Sequence, residues 1–181
     1  MHFTALTQTA EETKKRIEEN NGVFFVALSQ EKALVGVGAI MFHEKGKSWY
    51  NRNKPYAAIT MVGVRKAFKG KGISNSLYRE MEKLGFSLVT ILTMNTAENN
   101  RIVLDSNYRH GWKYVDMKSW SNTDFYSVCM AKWRDGCPYH KLFLDFKYLE
   151  KKVKTYLIYR EDGKYRLLFS LLRKIVRGIP K

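Results

Sequence analysis

The segment Val64-Arg65-Lys66-Ala67-Phe68-Lys69-Gly70-Lys71-Gly72-Ile73, continued by Ser74 to Leu77, most constrains what this chain can fold into. An apolar, β-branched run from Tyr56 to Val64 leads into two closely spaced glycines set among lysines, and an amphipathic helical pattern begins at once. Strand, glycine turn and helix N-terminus in that order form an anion cradle. Glycine lets the backbone approach a ligand, successive N–H groups point outward, and the helix dipole favours negative charge. The ligand to expect is a phosphate or pyrophosphate, so the chain is a candidate user of a phosphorylated cofactor.

The elements around the turn follow from periodicity. Thr7 or Thr9 caps a helix from Ala10 to Glu19, and Asn20-Asn21-Gly22 stops it. Gly22 to Leu28 reads as a strand, with Ala33 to His43 as its antiparallel partner across a tight turn. Glu44 to Pro55 is polar, holds Trp49 and Tyr50, and is long enough for a functional loop. After the glycine turn, apolar residues at 73, 77, 81, 84 and 85–86 mark a helix from Ile73 to Phe86. Ser87 to Met94 is almost wholly apolar and reads as a central parallel strand. A polar segment, Thr96 to Asn100, precedes a helix running to about Arg109 and ended by Gly111. Trp112–Lys118 and Phe125–Trp133 read as a closing strand pair. One β-α-β crossover thus sits inside an otherwise antiparallel sheet, an α/β or α+β layer with helices on its faces.

At 181 residues the chain suits one domain with an appendage. The 32 Lys+Arg against 17 Asp+Glu leave a net charge of +15. Residues 133–181 hold 13 of the basic and 5 of the acidic residues, a net of +8, so the last quarter is the denser basic region. Such a field attracts nucleotide cofactors, nucleic acid or an anionic membrane surface. Cys129 and Cys137 share no metal-ligand spacing with the four histidines, which argues against zinc. Both read as reduced thiols of a cytoplasmic protein. The first 19 residues have no apolar signal core, and no apolar run reaches the roughly 18 residues that a membrane span needs.

The order of elements and the glycine turn together resemble the GCN5-related N-acetyltransferase (GNAT) family. There the turn follows a Gln/Arg-x-x-Gly-x-Gly/Ala pattern and binds the acetyl-CoA pyrophosphate; here the glycines are Gly70 and Gly72, followed by Ile73 and Leu77. A second family segment runs from an Asn through apolar residues to Gly-Phe and matches Asn100, Val103, Gly111 and Trp112. The resemblance covers roughly residues 8–133. It implies a GNAT-like, mainly antiparallel mixed sheet flanked by helices over 1–133; residues 134–181 lie outside it and read, from their own pattern, as a basic, helical C-terminal appendage. It also implies an acyltransferase that moves acetyl from acetyl-CoA to a primary amine by direct attack in a ternary complex, without a metal.

By the same resemblance, Val62 and Val64 contact the pantetheine arm, Lys69, Gly70, Lys71, Gly72, Ile73 and Ser74 take the pyrophosphate, and Asn100 contacts the arm or caps its helix. Tyr108 is the candidate acid for the leaving thiolate, against packing between helix and sheet. Three departures stand out. Ala67 fills the Gln/Arg position, the family tyrosine position falls on Asn107 with Tyr108 one residue later, and the strand Ala58-Ile59-Thr60-Met61 has no acid. Lys66, Lys69 and Lys71 can supply the missing charge. His43-Glu44 is a weaker candidate base, His110 reads as a helix-end cation, and Trp49, Tyr50 and Tyr56 either line an acceptor pocket or pin their loop.

The appendage carries a competing function. Tyr139–Arg160 and Tyr165–Arg177 read as two helices joined at Gly163, with Leu168, Leu171, Leu172, Ile175 and Val176 on one face of the second. A hairpin buried against the domain or against a second subunit is favoured over docking on an anionic membrane or nucleic acid, because Tyr and Phe occur on several sides. The alternative function is a catalytically weak scaffold that binds nucleic acid, membrane or protein through this tail. The acceptor and a homodimer stay open.

Overall fold

The computed structural model describes residues 21–119 and 125–158, together with Glu11, Lys15, Glu18 and Glu19. The strands are β1 (Val23–Leu28), β2 (Leu34–His43), β3 (Tyr56–Val64), β4 (Ile91–Ala97), β5 (Lys113–Ser119) and β6 (Tyr126–Trp133). The helices are α1 (Ile73–Leu88), α2 (Arg101–Arg109) and α3 (Lys141–Ile158), with a 3-10 turn at Lys66–Phe68. The strands form one mixed sheet in the order β1-β2-β3-β4-β6-β5. β1–β2 and β2–β3 are antiparallel, and β3–β4 is parallel across α1, the crossover expected. Where the sequence pattern suggests only one, the chain crosses over again from β4 through α2 to β5, because β6 inserts between those two strands. The four described residues of 11–19 are helical, whereas the helix expected over 165–177 lies outside the described residues.

The chain divides into two compact units, Met1–Met94 with Trp133–Asp135, and Asn95–Lys132 with Gly136–Lys181. In the first, Leu77 and Met81 of α1 are buried, as are Ile40 of β2, Ile59 of β3 and Leu92 of β4. Gly85 brings α1 down on this sheet. A Cβ there would stand 2.5 Å from Leu92 Cδ2 and 2.9 Å from Ile40 Cδ1. In the second, Leu104 of α2, Trp112, Met117 of β5, Met130 of β6 and Leu144 of α3 are buried. Lys151 of α3 pairs with Asp116 of β5 at 3.4 Å, and Lys152 with Glu98 at 2.7 Å.

One element boundary differs from the sequence reading. The expected strand Ser87–Met94 begins late, because α1 runs on to Leu88 and β4 occupies Ile91–Ala97. The Ser87 hydroxyl donates to Leu84 O at 2.7 Å, and the Val89 N–H bonds Gly85 O, closing the last turn before the chain extends. β4 then takes in Thr96 and Ala97, which the sequence reading placed in the polar segment.

Candidate active site

β3 carries the first feature of the site. Its register with β2 steps from Ala39↔Thr60 to Val37↔Gly63, so Met61 and Val62 together face the place of Gly38. This is a β-bulge, and Met61 adopts a left-handed φ of 53° within it. An L residue held there costs about 1 kcal/mol, strain that bulges beside functional sites commonly carry. The bulge turns a stretch of β3 backbone out of its ladder with β2. Val64 rejoins the ladder opposite Gly36, and the Arg65 N–H bonds Val35 O at 2.9 Å.

The turn follows directly. Phe68 N–H bonds Arg65 O, and Lys69 leaves the 3-10 turn in an extended conformation. Gly70 and Gly72 both take left-handed φ, 79° and 77°, and a Cβ on either would meet nothing within 4 Å. These glycines are therefore required by conformation and not by crowding. Lys71 Nζ lies 5.1 Å from the Phe68 ring centroid, which holds this cation beside the turn.

Gly72 is the N-cap of α1. It supplies no side-chain cap, and no acid stands in the first turn. The leading N–H groups of the helix, including those of Ile73 and Ser74, thus gain neither a side-chain acceptor at the cap nor a neighbouring carboxylate to oppose the dipole. A helix start of this kind suits an external anion.

The loop 44–55 is wound on itself. Gly46 N–H donates to Lys54 O at 2.9 Å, Asn53 N–H to Gly46 O at 3.0 Å, and Ser48 N–H to Asn51 Oδ1 at 3.1 Å. Tyr50 and Asn51 are buried while Trp49 is exposed and meets Tyr50 edge-on, so Tyr50 pins the loop. His43 stacks on its cross-strand partner Tyr56 with centroids 4.7 Å apart. Burial holds its imidazole below the ordinary value, toward the neutral form, and Glu44 is exposed.

In the second unit, Asn100 is the N-cap of α2, but its side chain makes no capping bond. Its amide instead donates to Thr96 Oγ1 at 3.3 Å. Asn107 is buried, while Tyr108 stacks on Tyr114 at 5.4 Å and Tyr114 packs on Tyr148 at 5.0 Å. Lys113 and Lys141 place ammonium groups 5.0 and 5.6 Å from the Tyr108 ring centroid. A hydrogen bond to the Tyr108 side chain raises the Lys141 ammonium above its usual value. His110 ends α2 with Nδ1 2.7 Å from Ser106 O, so its ring N–H donates to a last-turn carbonyl. The GNAT resemblance implies a bulge near Val62 and Val64, and the structure places it at Met61 and Val62; nothing in the sequence marks the two lysines over Tyr108 or the hydrogen bonds that wind the 44–55 loop.

A family model, the Acetyltransferase (GNAT) family, matches residues 2–112. No curated protein sequence matches the chain. Among solved structures the chain is similar to Arabidopsis thaliana NAA60 in complex with acetyl-CoA, at 13% identity over 74% of this chain and 88% of that one, with a TM-score of 0.63. It is also similar to the ribosomal-protein-S18-alanine N-acetyltransferase from Escherichia coli, at 13% identity over 72% and 79%, with a TM-score of 0.57. At these identities the likeness is one of fold. With the family model covering more than half of its length, the chain belongs to the acetyltransferase (GNAT) family.

Proposed function

We propose that the chain transfers acetyl from acetyl-CoA to a primary amine by direct attack in a ternary complex. The observation that carries this reading is the start of α1, where left-handed Gly70 and Gly72 lead into a helix with no cap side chain and no first-turn acid. Family membership supports reading the anion as a CoA pyrophosphate. Gly70 to Ser74 hold it with backbone N–H groups, and Lys69 and Lys71 supply the charge that Ala67 does not.

The β3 bulge supports the rest of the donor site. Backbone groups of Val62 and Val64 bind the pantetheine arm, and an N–H of the bulged strand polarises the thioester carbonyl. The neutral amine nitrogen attacks the carbonyl carbon, the C–S bond breaks, and the proton lost by nitrogen balances the one gained by the leaving sulfur. The resemblance assigns Tyr108 as the proton donor to sulfur and Asn100 as a contact to the arm. One named neighbour, a ribosomal-protein-S18-alanine N-acetyltransferase, makes a protein or peptide amine the first acceptor to test.

One observation favours the second reading, a catalytically weak binding scaffold. Asn107 is buried where the family tyrosine stands, and the Tyr108 ring is engaged by Tyr114 and Lys141. Two measurements separate the readings. The first is the melting temperature with and without acetyl-CoA. The second is thiol release from acetyl-CoA across peptides, lysine, amino sugars and small amines. A thermal shift with release on one acceptor class supports the enzyme, and a shift with no release on any class supports the scaffold. No shift at millimolar acetyl-CoA removes the enzyme reading and leaves the scaffold, which binds through its tail.

A further inference from the structure

Helix α3 has two faces of opposite assignment. Leu144 and Thr155 are buried and Tyr148 is half-buried on the side that packs with β5. Leu142, Phe146, Leu149, Val153 and Tyr156 are 47–71% exposed. Their spacing of four, three, four and three residues puts all five within an arc of about 80°. Apolar residues at several sides of this segment are thus sorted by the fold into an inner set and a continuous outer stripe. An exposed stripe of this size marks a surface that binds something.

The charge around the stripe narrows what that is. Helix α3 holds five lysines and two acids. Its Glu150 is shared by Lys147 at 2.9 Å and by Lys154, which hold its carboxyl down to about 2. Lys151 and Lys152 neutralise Asp116 and Glu98 of the same unit. Beyond α3, the sequence of residues 159–181 adds seven basic and two acidic residues to the charge of the chain. A second copy of a +15 chain would bring two basic rims together. A surface that is apolar in depth and negative at its rim meets both features. Among the described residues no helix is long and apolar enough to cross a membrane, so the match is to lying on a bilayer rather than spanning it.

We propose that the outer stripe of α3 docks this protein on an anionic lipid surface. The apolar side chains enter the boundary between headgroups and acyl chains, and the flanking lysines stay among the lipid phosphates.

The test uses the full chain and co-sedimentation with vesicles of phosphatidylcholine alone or of phosphatidylcholine mixed with phosphatidylserine. The expected result is binding to the mixed vesicles, weak binding to the neutral ones, and release by salt. The double variant Phe146→Ser, Leu149→Ser lowers partitioning by about tenfold or more while circular dichroism and melting temperature stay as in wild type, because both side chains are exposed. Lys147→Gln with Lys154→Gln gives a second, independent loss on anionic vesicles only. Failure to bind phosphatidylserine vesicles overturns the proposal, as does equal binding by the Ser variant. A dimer in light scattering that the Ser variant dissociates, without vesicle binding, assigns the stripe to a second copy instead. A salt-sensitive shift of a DNA or RNA probe without vesicle binding assigns the basic surface to nucleic acid. None of these readouts depends on acetyl-CoA.

Discussion

Asn75→Asp tests the proposed anion site at the start of α1 with opposite signs for stability and ligand affinity. Asn75 is exposed in the first turn, and the exchange is isosteric, so packing is untouched. The helix begins at a glycine cap with no acid behind it, leaving the positive end of its dipole uncompensated. A carboxylate there should stabilise the free protein by about 0.3–1 kcal/mol, raising Tm by about 1–4 °C for a chain of this length. The same carboxylate opposes a bound pyrophosphate. Two unit charges about 8 Å apart at an effective dielectric of about 20 repel by about 2 kcal/mol, and salt with a Debye length of about 8 Å roughly halves this. A net cost of about 1 kcal/mol weakens CoA binding about fivefold.

The assay pairs thermal melts with calorimetric titration of CoA and of acetyl-pantetheine, which has no pyrophosphate. Acetyl-pantetheine affinity should be unchanged, and the CoA defect should shrink as salt rises. A variant that melts higher yet binds CoA as tightly as wild type would refute the placement of the pyrophosphate at this helix start. A variant that melts lower would refute the claim that the N-terminus lacks negative charge.

The remaining predictions address the acid, the packing and the pH response. Tyr108→Phe should lower kcat about hundredfold with CoA affinity unchanged; wild-type turnover in a steady-state assay removes Tyr108 from the mechanism. Gly85→Ala should destabilise by about 1–2 kcal/mol, because overpacking at about 1–3 kcal/mol exceeds the gain of about 1 kcal/mol in helix propensity. The new Cβ would press on the fully buried Leu92 and Ile40, so a higher denaturant midpoint would contradict the contact geometry. His43 is held below its usual 6.5 by burial. Its contribution is therefore complete above 6.5 and is lost as pH falls through that value toward the lowered one. Melts across this window should steepen for wild type and flatten for His43→Phe.

Much of this architecture is legible from local sequence. The strand-to-glycine-turn-to-helix order at Val64–Leu77 is legible because each step depends on neighbours in the chain. Val64 belongs to an apolar, β-branched run, Gly70 and Gly72 tolerate left-handed φ, and the 3.6-residue stripe follows. The division between α1 and β4 is not legible, since the apolar run Ser87–Met94 suits either element. The Ser87–Leu84 and Val89–Gly85 bonds carry the helix two residues further. Met61 carries no mark of the left-handed bulge it occupies, because that conformation comes from β3 fitting an extra residue against β2. The loop 44–55 reads as a polar functional loop, and the structure winds it shut through the Gly46–Lys54, Asn53–Gly46 and Ser48–Asn51 bonds, between residues that composition does not connect.

The family and its glycine turn are thus determined by the sequence alone, through short motifs whose conformations are set within a few residues. The engagement of Tyr108 by Tyr114 and Lys141 is decided only in the tertiary structure, as is the choice of which apolar residues of α3 face solvent. A helix with leucines and aromatics on more than one side has no preferred inner face until β5 takes Leu144 and Tyr148 and leaves Leu142, Phe146 and Leu149 outside.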